Sequence, residues 1–197
     1  MTANNTIKIG GLLLAAGGSR RLGSPKQLLE YHGKTLLRRS TEALVDSKCE
    51  PIIVVLGAEI ERSNVEIGDL DIKSIVNEDW ATGMSSSIRV GMETMLLLEP
   101  EIDAVMITLC DQPFVTAEKI HIFIEAFKTQ RSLIIAARYN DVLGVPALFS
   151  REMFDALTRL DGDKGARDLI RQEASTFGID LPEAAIDIDT QQDIISC

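Results

Sequence analysis

A loop rich in glycine and basic residues follows the first apolar run of the chain. Residues 9–16 are apolar apart from two glycines, and Gly17, Gly18 and Ser19 come next. Arg20, Arg21 and Lys26 lie within the following seven positions. Successive backbone N–H groups in such a turn form an anion-binding concavity, and arginine and lysine supply the charge that a polyphosphate needs. The residues predict a buried strand that leads into a phosphate-binding loop.

The same segment also fits a plainer interpretation, in which an ordinary strand ends at a glycine turn with a solvated basic face. It is not a Walker A loop, because the glycines are not followed by the Gly-Lys-Ser/Thr ending. It is not a GxGxxG loop either, because glycines at 17, 18 and 23 do not have that spacing. The segment alone leaves both interpretations open.

Asp111 is a second candidate, since it follows the apolar run at residues 105–109. Pro113 ends this run because proline cannot donate a hydrogen bond to a strand ladder. Ligands of parallel sheets bind at the carboxyl ends of the strands. Mg²⁺ prefers oxygen and is usually held by one or two carboxylates together with substrate phosphates. Asp111 is therefore predicted to bind Mg²⁺ (or Mn²⁺), and a loop-capping role is the alternative.

Asp187 and Asp189 form a third candidate near the end of the chain. Residues 186–189 alternate apolar and acidic types, which predicts a short strand with both carboxylates on one face. Two neighbouring carboxylates suit a metal or a substrate contact, and Asp189 is the preferred metal ligand. Alternatively, Asp189 caps a final helical turn that contains Asp193.

Apolar runs that predict strands alternate with helical patterns along the chain. The predicted strands are 9–16, 52–56, 72–76, 105–109, 133–137, 144–149 and 186–189. The predicted helices are 35–45, 59–66, 88–98 with Ser85 as N-cap, 116–128, 151–160 and 163–172. This alternation predicts the α/β class, as a single Rossmann-like three-layer domain over residues 1–197 with a mostly parallel sheet and helices on both faces.

Composition excludes several classes of protein. A net charge of −10 over 197 residues argues against a general nucleic-acid binder, which needs a basic face. No apolar run approaches the roughly 20 residues of a membrane helix, and residues 1–8 lack the apolar core of a signal peptide. Three scattered cysteines have no zinc-binding spacing. We expect a cytoplasmic protein without nucleic-acid or membrane partners.

Taken together, the motifs resemble those of a known family. Residues 14–26 match LAAGxSxRxGxxK, the signature of nucleotidyltransferases with a Rossmann-like domain. Four later segments, NEDWATGMSSS at 77–87, CDQPF at 110–114, GDKGAR at 162–167 and DIDT at 187–190, look like one branch of that family. This branch comprises the molybdenum cofactor cytidylyltransferases, MobA-like enzymes that join CMP from CTP to molybdopterin.

The resemblance implies roles for particular residues. It implies Lys26, Arg21 and Asp111 as catalytic residues, with Asp111 and Asp189 as metal ligands. It implies nucleotide binding by Leu14, Ala15, Ala16, Gly17, Gly18, Ser19, Arg21, Lys26, Gly83, Ser85, Ser86 and Asp111. It implies acceptor binding by Gln112, Pro113, Gly144, Pro146, Asp163 and Lys164. The implied partners are CTP and molybdopterin, with a recipient molybdoenzyme or its maturation chaperone beyond them.

One position departs from the family pattern. The family commonly has Gly-His-Pro where this chain has Gly144, Val145 and Pro146. An apolar side chain thus replaces a histidine that could contact the acceptor. Two alternatives stay open: a guanylyl or sugar-phosphate nucleotidyltransferase on the same fold, and a carrier of the molybdenum cofactor without catalysis.

Overall fold

A central sheet of seven strands lies between two layers of helices in the computed structural model, which describes residues 7–17, 25–188 and 193. Across the sheet the strands are β5 (Lys73–Val76), β4 (Ile52–Leu56), β1 (Ile9–Ala15), β6 (Ala104–Leu109), β8 (Val142–Ser150), β7 (Ile134–Tyr139) and β9 (Phe177–Asp180). The helices are α1 (Leu36–Asp46), α2 (Ile60–Ile67), α3 (Met84–Leu98), α4 (Ala117–Thr129), α5 (Phe154–Thr158) and α6 (Arg167–Gln172). A separate hairpin pairs β2 (Glu30–Tyr31) with β3 (Lys34–Thr35).

Strand β1 lies at the centre of the parallel part of the sheet. It pairs in parallel with β4 on one side and with β6 on the other. All seven of its residues are buried. A strand covered on both faces and both edges has no position that favours a polar side chain, which explains its uninterrupted apolar run.

Alternate residues of the strands face two different hydrophobic clusters. Leu13 points into the cluster shared with α1, α2 and α4, whereas Leu12 points into the cluster shared with α3, α5 and α6. Pairings among β5, β4, β1 and β6 are parallel, as is β7 with β9, and β8 runs antiparallel to its two neighbours. The predicted three-layer α/β fold with a mostly parallel sheet is therefore confirmed.

The sheet differs from the prediction in its second half. The strand expected at 144–149 is the longer β8, which forms an antiparallel hairpin with β7. Strand β9 was not predicted, because it is a short edge strand whose four residues are partly exposed and lack an apolar run. The strand expected at 186–189 is wrong for residues 186–188, which have no regular structure, and Asp189 lies outside the described residues.

Helix α3 begins earlier than the pattern at residues 88–98 predicted. Gly83 occupies the N-cap position with φ 127°, a conformation that side chains disfavour. Ser85 is thus not the N-cap, since it lies within the first turn, where its Oγ donates to the carbonyl of Asp161 at 3.1 Å. Among the described residues, no helix is both long and apolar enough to cross a membrane.

Candidate active site

A crevice opens where the carboxyl ends of β1 and β6 lie side by side. Leu14 pairs with Leu109 in the parallel register, and the backbone N–H of Cys110 donates to the carbonyl of Leu14 at 3.3 Å. The chain of β1 therefore leaves the sheet at Gly17 next to the point where β6 reaches Asp111. The next strand of this sheet along the chain, β4, lies on the other side of β1, so the chain diverges here at a point of the kind where α/β sheets bind ligands.

Lys26 and Asp111 form an ion pair in this crevice. The Nζ of Lys26 donates to Oδ2 of Asp111, and the two side chains are 23% and 15% exposed. The other carboxylate oxygen, Oδ1 of Asp111, is buried and accepts no hydrogen bond from the residues that the structure describes. A buried carboxylate oxygen without a partner lowers the stability of the folded protein, and a bound cation or a hydrogen-bond donor would remove that penalty.

The unpartnered oxygen of Asp111 fits a hard divalent cation. Within residues 7–17, 25–188 and 193, no cluster of three or more acidic, histidine or cysteine side chains could hold a metal ion alone. Mg²⁺ and Mn²⁺ sites of nucleotide-binding proteins need only one or two carboxylates when phosphates supply the other oxygens. Asp111 therefore suits a metal that arrives together with a polyphosphate.

A cleft of about 250 Å³ surrounds the ion pair. Its walls come from the end of β1, the Lys26 turn, the start of α3 and the end of β6. The lining residues are Leu14, Ala15, Ala16, Gly17, Lys26, Gln27, Trp80, Gly83, Met84, Ser87, Leu109, Cys110, Asp111 and Asp163. The lining combines apolar side chains, such as Leu14 and Leu109, with the charged side chains of Lys26, Asp111 and Asp163.

The amino terminus of α3 is fixed at the cleft by a close backbone contact. A Cβ atom on Gly83 would lie 2.6 Å from the carbonyl oxygen of Gly162 and from Cα of Asp163. Asn77 supports the same turn from below, because its Nδ2 donates to Oγ of Ser86 at 2.8 Å and of Ser87 at 2.9 Å. The first N–H groups of a helix have no partner within the helix and carry a partial positive charge.

A second cavity of about 390 Å³ adjoins the first and shares Met84, Leu109 and Asp163 with it. Its other lining residues are Gln112, Tyr139, Val142, Leu143, Gly144, Val145, Lys164, Ala166, Arg167, Ile170, Arg171 and Asp187. Lys164 pairs with Asp168 at 3.3 Å, whereas Arg167 and Arg171 form no ion pair within the described part of the chain. The cavity thus combines an apolar wall from β8 with two available guanidinium groups.

Tyr139 and Gln112 hold the β8 wall of this cavity in place. Both side chains donate to the carbonyl of Val145, Tyr139 Oη at 3.1 Å and Gln112 Nε2 at 3.2 Å. Burial and the negative charge of Asp187 raise the pKa of Tyr139. The phenol therefore stays protonated and remains a donor throughout the neutral range.

The structure brings most of the predicted nucleotide residues together. Leu14, Ala15, Ala16, Gly17, Lys26, Gly83 and Asp111 line the first cleft. Ser85 and Ser86 lie beside it, but both are buried, and their hydroxyls donate to the carbonyls of Asp161 and of Asp79 and Gly83. Gly18, Ser19, Arg21 and Asp189 lie outside the described residues.

The predicted acceptor residues divide into two groups. Gln112, Gly144, Asp163 and Lys164 line the second cavity, together with Val145. Pro113 and Pro146 are buried and do not line it. Sequence reasoning did not single out Gln27, Trp80, Tyr139 and Arg171, although Gln27 follows Lys26 and Trp80 lies within the 77–87 segment. For Arg171 the available signal was its spacing from Arg167, four apart on a helix.

Comparison with known proteins places the chain in a family. Residues 11–176 match the family described as the MobA-like NTP transferase domain. Nicotine blue oxidoreductase of Paenarthrobacter nicotinovorans is 30% identical over 176 residues, which cover 83% of this chain and 81% of that protein. A probable molybdenum cofactor guanylyltransferase of Bacillus cytotoxicus is 28% identical over 112 residues, 57% of this chain and 53% of that protein.

A solved structure shares both fold and sequence with this chain. Rv0371c of Mycobacterium tuberculosis H37Rv superposes with a TM-score of 0.81 and 29% identity, covering 96% of this chain and 97% of that one. The same protein has been solved in complex with manganese, and that structure superposes with a TM-score of 0.78. The family match spans well over half of the chain and includes most of the first strand and the described residues that line the first cleft. This chain therefore belongs to the family of MobA-like NTP transferases.

Proposed function

We propose that the protein transfers CMP from CTP to molybdopterin, giving the cytosine dinucleotide form of the cofactor and pyrophosphate. The observation that carries this proposal is the Lys26–Asp111 ion pair, which lines a cleft of about 250 Å³ that is adjoined by a second cavity lined by Arg167 and Arg171. A cation and a carboxylate side by side suit a polyphosphate with its divalent metal. The adjoining cavity offers room for an acceptor.

In the proposed reaction, a phosphate monoester oxygen of the acceptor attacks the α-phosphorus of CTP and pyrophosphate leaves. Lys26, with the backbone after Gly17 and with Arg21, holds the triphosphate and neutralises the leaving pyrophosphate. Asp111 holds Mg²⁺, with Asp189 as a second proposed ligand. When bound, this metal acts as a Lewis acid on the phosphate. The protein supplies no nucleophile, so its contribution is positioning and charge neutralisation.

The acceptor is proposed to bind in the second cavity. Arg167 and Arg171 would attract its phosphate, and the shared residues Met84 and Asp163 join the cavity to the nucleotide cleft. Val145 supplies an apolar contact where the family commonly has histidine. The Gln112 side chain, which donates to the carbonyls of Val145 and Ala184, supports this wall from behind.

Two observations favour different bases. The Ala15-Ala16-Gly17 sequence resembles the cytidylyl branch, in which methyl groups replace the glycine usual in guanylyl enzymes, and Ala16 lines the cleft here. By contrast, relatives from Bacillus cytotoxicus and Opitutus terrae are named as probable guanylyltransferases. CTP is our first proposal and GTP is the alternative.

Pyrophosphate release tests the proposal directly. The purified protein is incubated with Mg²⁺ or Mn²⁺, with CTP, GTP, ATP or UTP in turn, and with or without molybdopterin. We expect release that requires both CTP and molybdopterin. Release with GTP alone among the nucleotides would reassign the base, and release only with sugar phosphates would reassign the acceptor.

The same experiment separates catalysis from carriage. A carrier of the molybdenum cofactor would bind the dinucleotide tightly and release no pyrophosphate with any substrate. We also propose a single domain over residues 1–197, a cytoplasmic location, and delivery of the product to a molybdoenzyme or its chaperone.

A further inference from the structure

Ile188 lies in a segment that passes close to the end of β6, where its backbone meets Asp111. Its side chain is fully buried in a small cluster formed by Leu29, Tyr31, Leu36 and the partly buried Phe114. The sequence motifs assign candidate roles to Asp187 and Asp189 but none to Ile188. Its burial is nevertheless complete, in a segment that has no regular secondary structure.

The backbone of Ile188 contacts the proposed metal ligand. Its N–H donates to the carbonyl of Asp111 at 2.9 Å. The preceding segment is held to the same region by two further contacts, from Gln112 Nε2 to the carbonyl of Ala184 at 2.8 Å and from Lys119 to Glu183 at 3.0 Å. The backbone hydrogen bond therefore couples the position of Ile188 to that of Asp111.

The side chain of Ile188 is connected to Lys26 through Leu29, which belongs to the same buried cluster. Leu29 ends the helical turn that begins at Lys26, and its N–H donates to the carbonyl of Lys26 at 3.0 Å. The carbonyl of Leu29 accepts from the N–H of Leu36 at 2.9 Å, which joins the turn to α1. The Lys26 turn therefore packs, through Leu29, against the same cluster that buries Ile188.

We infer that Ile188 is a positioning residue, which fixes the Lys26 turn relative to Asp111 through its buried side chain on one and its backbone N–H on the other. This inference rests on the proposed function, because it assigns Ile188 a role in the metal–polyphosphate site. Phosphate and metal sites need their groups held within about 0.5 Å. Ile188 joins three segments that are far apart in sequence, and its two contacts add to the Lys26–Asp111 ion pair in setting their relative position.

The test measures ligand binding rather than turnover. Mn²⁺ affinity is determined by electron paramagnetic resonance for wild type, Ile188→Ala and Ile188→Val, with α,β-methylene analogues of CTP and GTP present in separate titrations. Ile67→Ala is the matched control, since Ile67 is equally buried at the end of α2 in a different cluster. Thermal unfolding of each variant reports the loss of stability.

We expect Ile188→Ala to weaken Mn²⁺ binding about tenfold, as loss of the groups that orient metal ligands does. Ile188→Val should bind nearly as wild type, and Ile67→Ala should lower the unfolding temperature without changing Mn²⁺ affinity. If Ile188→Ala does not fold, Leu29→Ala removes the opposite wall of the cluster and should give the same weakening.

Two outcomes would count against different claims. Wild-type affinity in Ile188→Ala, or in Leu29→Ala where that variant replaces it, with a loss of stability like that of Ile67→Ala, would overturn the positioning role alone. Failure of the wild-type protein to bind Mn²⁺ with either analogue would instead overturn the proposed metal–nucleotide site, and the inference with it.

Discussion

Lys26 and Asp111 pair with each other across the crevice although 85 positions separate them in the chain. In the proposed complex, Lys26 would bind a phosphate and Asp111 would bind a divalent metal. The pair keeps both charges compensated while they are partly buried, which limits the desolvation cost of holding them there. Binding of a metal–nucleotide complex would exchange this contact for two, a charge-assisted hydrogen bond from Lys26 to a phosphate and coordination of the metal by Asp111.

Loss of either partner should abolish turnover without unfolding the protein. Lys26→Ala and Asp111→Asn are each expected to slow pyrophosphate release about 100-fold or more, because each removes a charge that stabilises the transition state. Lys8→Ala is the control, since Lys8 forms an exposed ion pair with Glu99 at 3.1 Å outside the cleft. Near-normal release by either site variant, with circular dichroism like that of wild type, would contradict these roles.

Substitution of Arg167 or Arg171 should weaken binding of the acceptor and leave binding of the nucleotide unchanged. Arg167→Ala is expected to raise KM for molybdopterin about tenfold or more, as loss of a charged contact to a phosphate does, while KM for CTP stays within twofold. Arg171→Ala should act in the same direction. Arg159→Ala is a suitable control because Arg159 is 79% exposed and pairs with Asp155 on α5. A rise in KM for CTP of equal size would show that these arginines serve the nucleotide instead.

Gly83→Ala should disturb both cavities. The substitution costs about 1–3 kcal/mol from the positive φ alone, and the new Cβ meets the backbone of Gly162 and Asp163 at 2.6 Å. Gly33→Ala shares a positive φ, 77°, but no described residue lies within 4 Å of its Cβ. We expect a larger drop in unfolding temperature for Gly83→Ala, together with weaker binding of CTP. Equal losses in the two variants would mean that the contact with 162–163 is easily relaxed.

Cys49 predicts a dependence of stability on alkaline pH. Burial raises the pKa of its thiol from 9.0 to about 11. Above pH 9 the unfolded chain releases this proton and the folded chain does not, so rising pH favours unfolding until the folded thiol also ionises. The slope is at most about 1.4 kcal/mol per pH unit for one group. Denaturant unfolding between pH 8 and pH 11 should show a steeper fall for wild type than for Cys49→Ala, and parallel curves would refute the assignment.

Local patterns in the sequence predicted elements whose environment is uniform along their length. The residues of β1 are apolar throughout because the strand is buried on all sides. Helix α1 followed from its apolar spacing, and its cap is Thr35, whose Oγ accepts from the N–H of Arg38 at 3.1 Å. By contrast, β9 escaped prediction because an edge strand that is half exposed needs no apolar run.

Other features depended on contacts that no local pattern contains. Residues 186–188 were predicted as a strand from alternating types, yet Ile188 is buried for a different reason, as the core of the cluster beneath the Lys26 turn. The first turn of α3 was missed because its serine side chains are buried. Their hydroxyls form hydrogen bonds with Asn77 and with the carbonyl of Asp161, and they neither face solvent nor cap the helix. A polar residue that is buried by a distant partner looks in sequence like one in a loop.

The sequence by itself determined the class of fold, through the alternation of strands and helices, and the residue types on which the proposed chemistry rests: the glycines and cations after the first strand, and Asp111 at a strand end. These depend on residue type and on local periodicity, which are written directly in the chain. Only the tertiary structure decided that Lys26 pairs with Asp111, that the two cavities share lining residues, and that Ile188 contacts both Leu29 and Asp111. Such relationships follow from strand order and register, because those set which distant segments become neighbours.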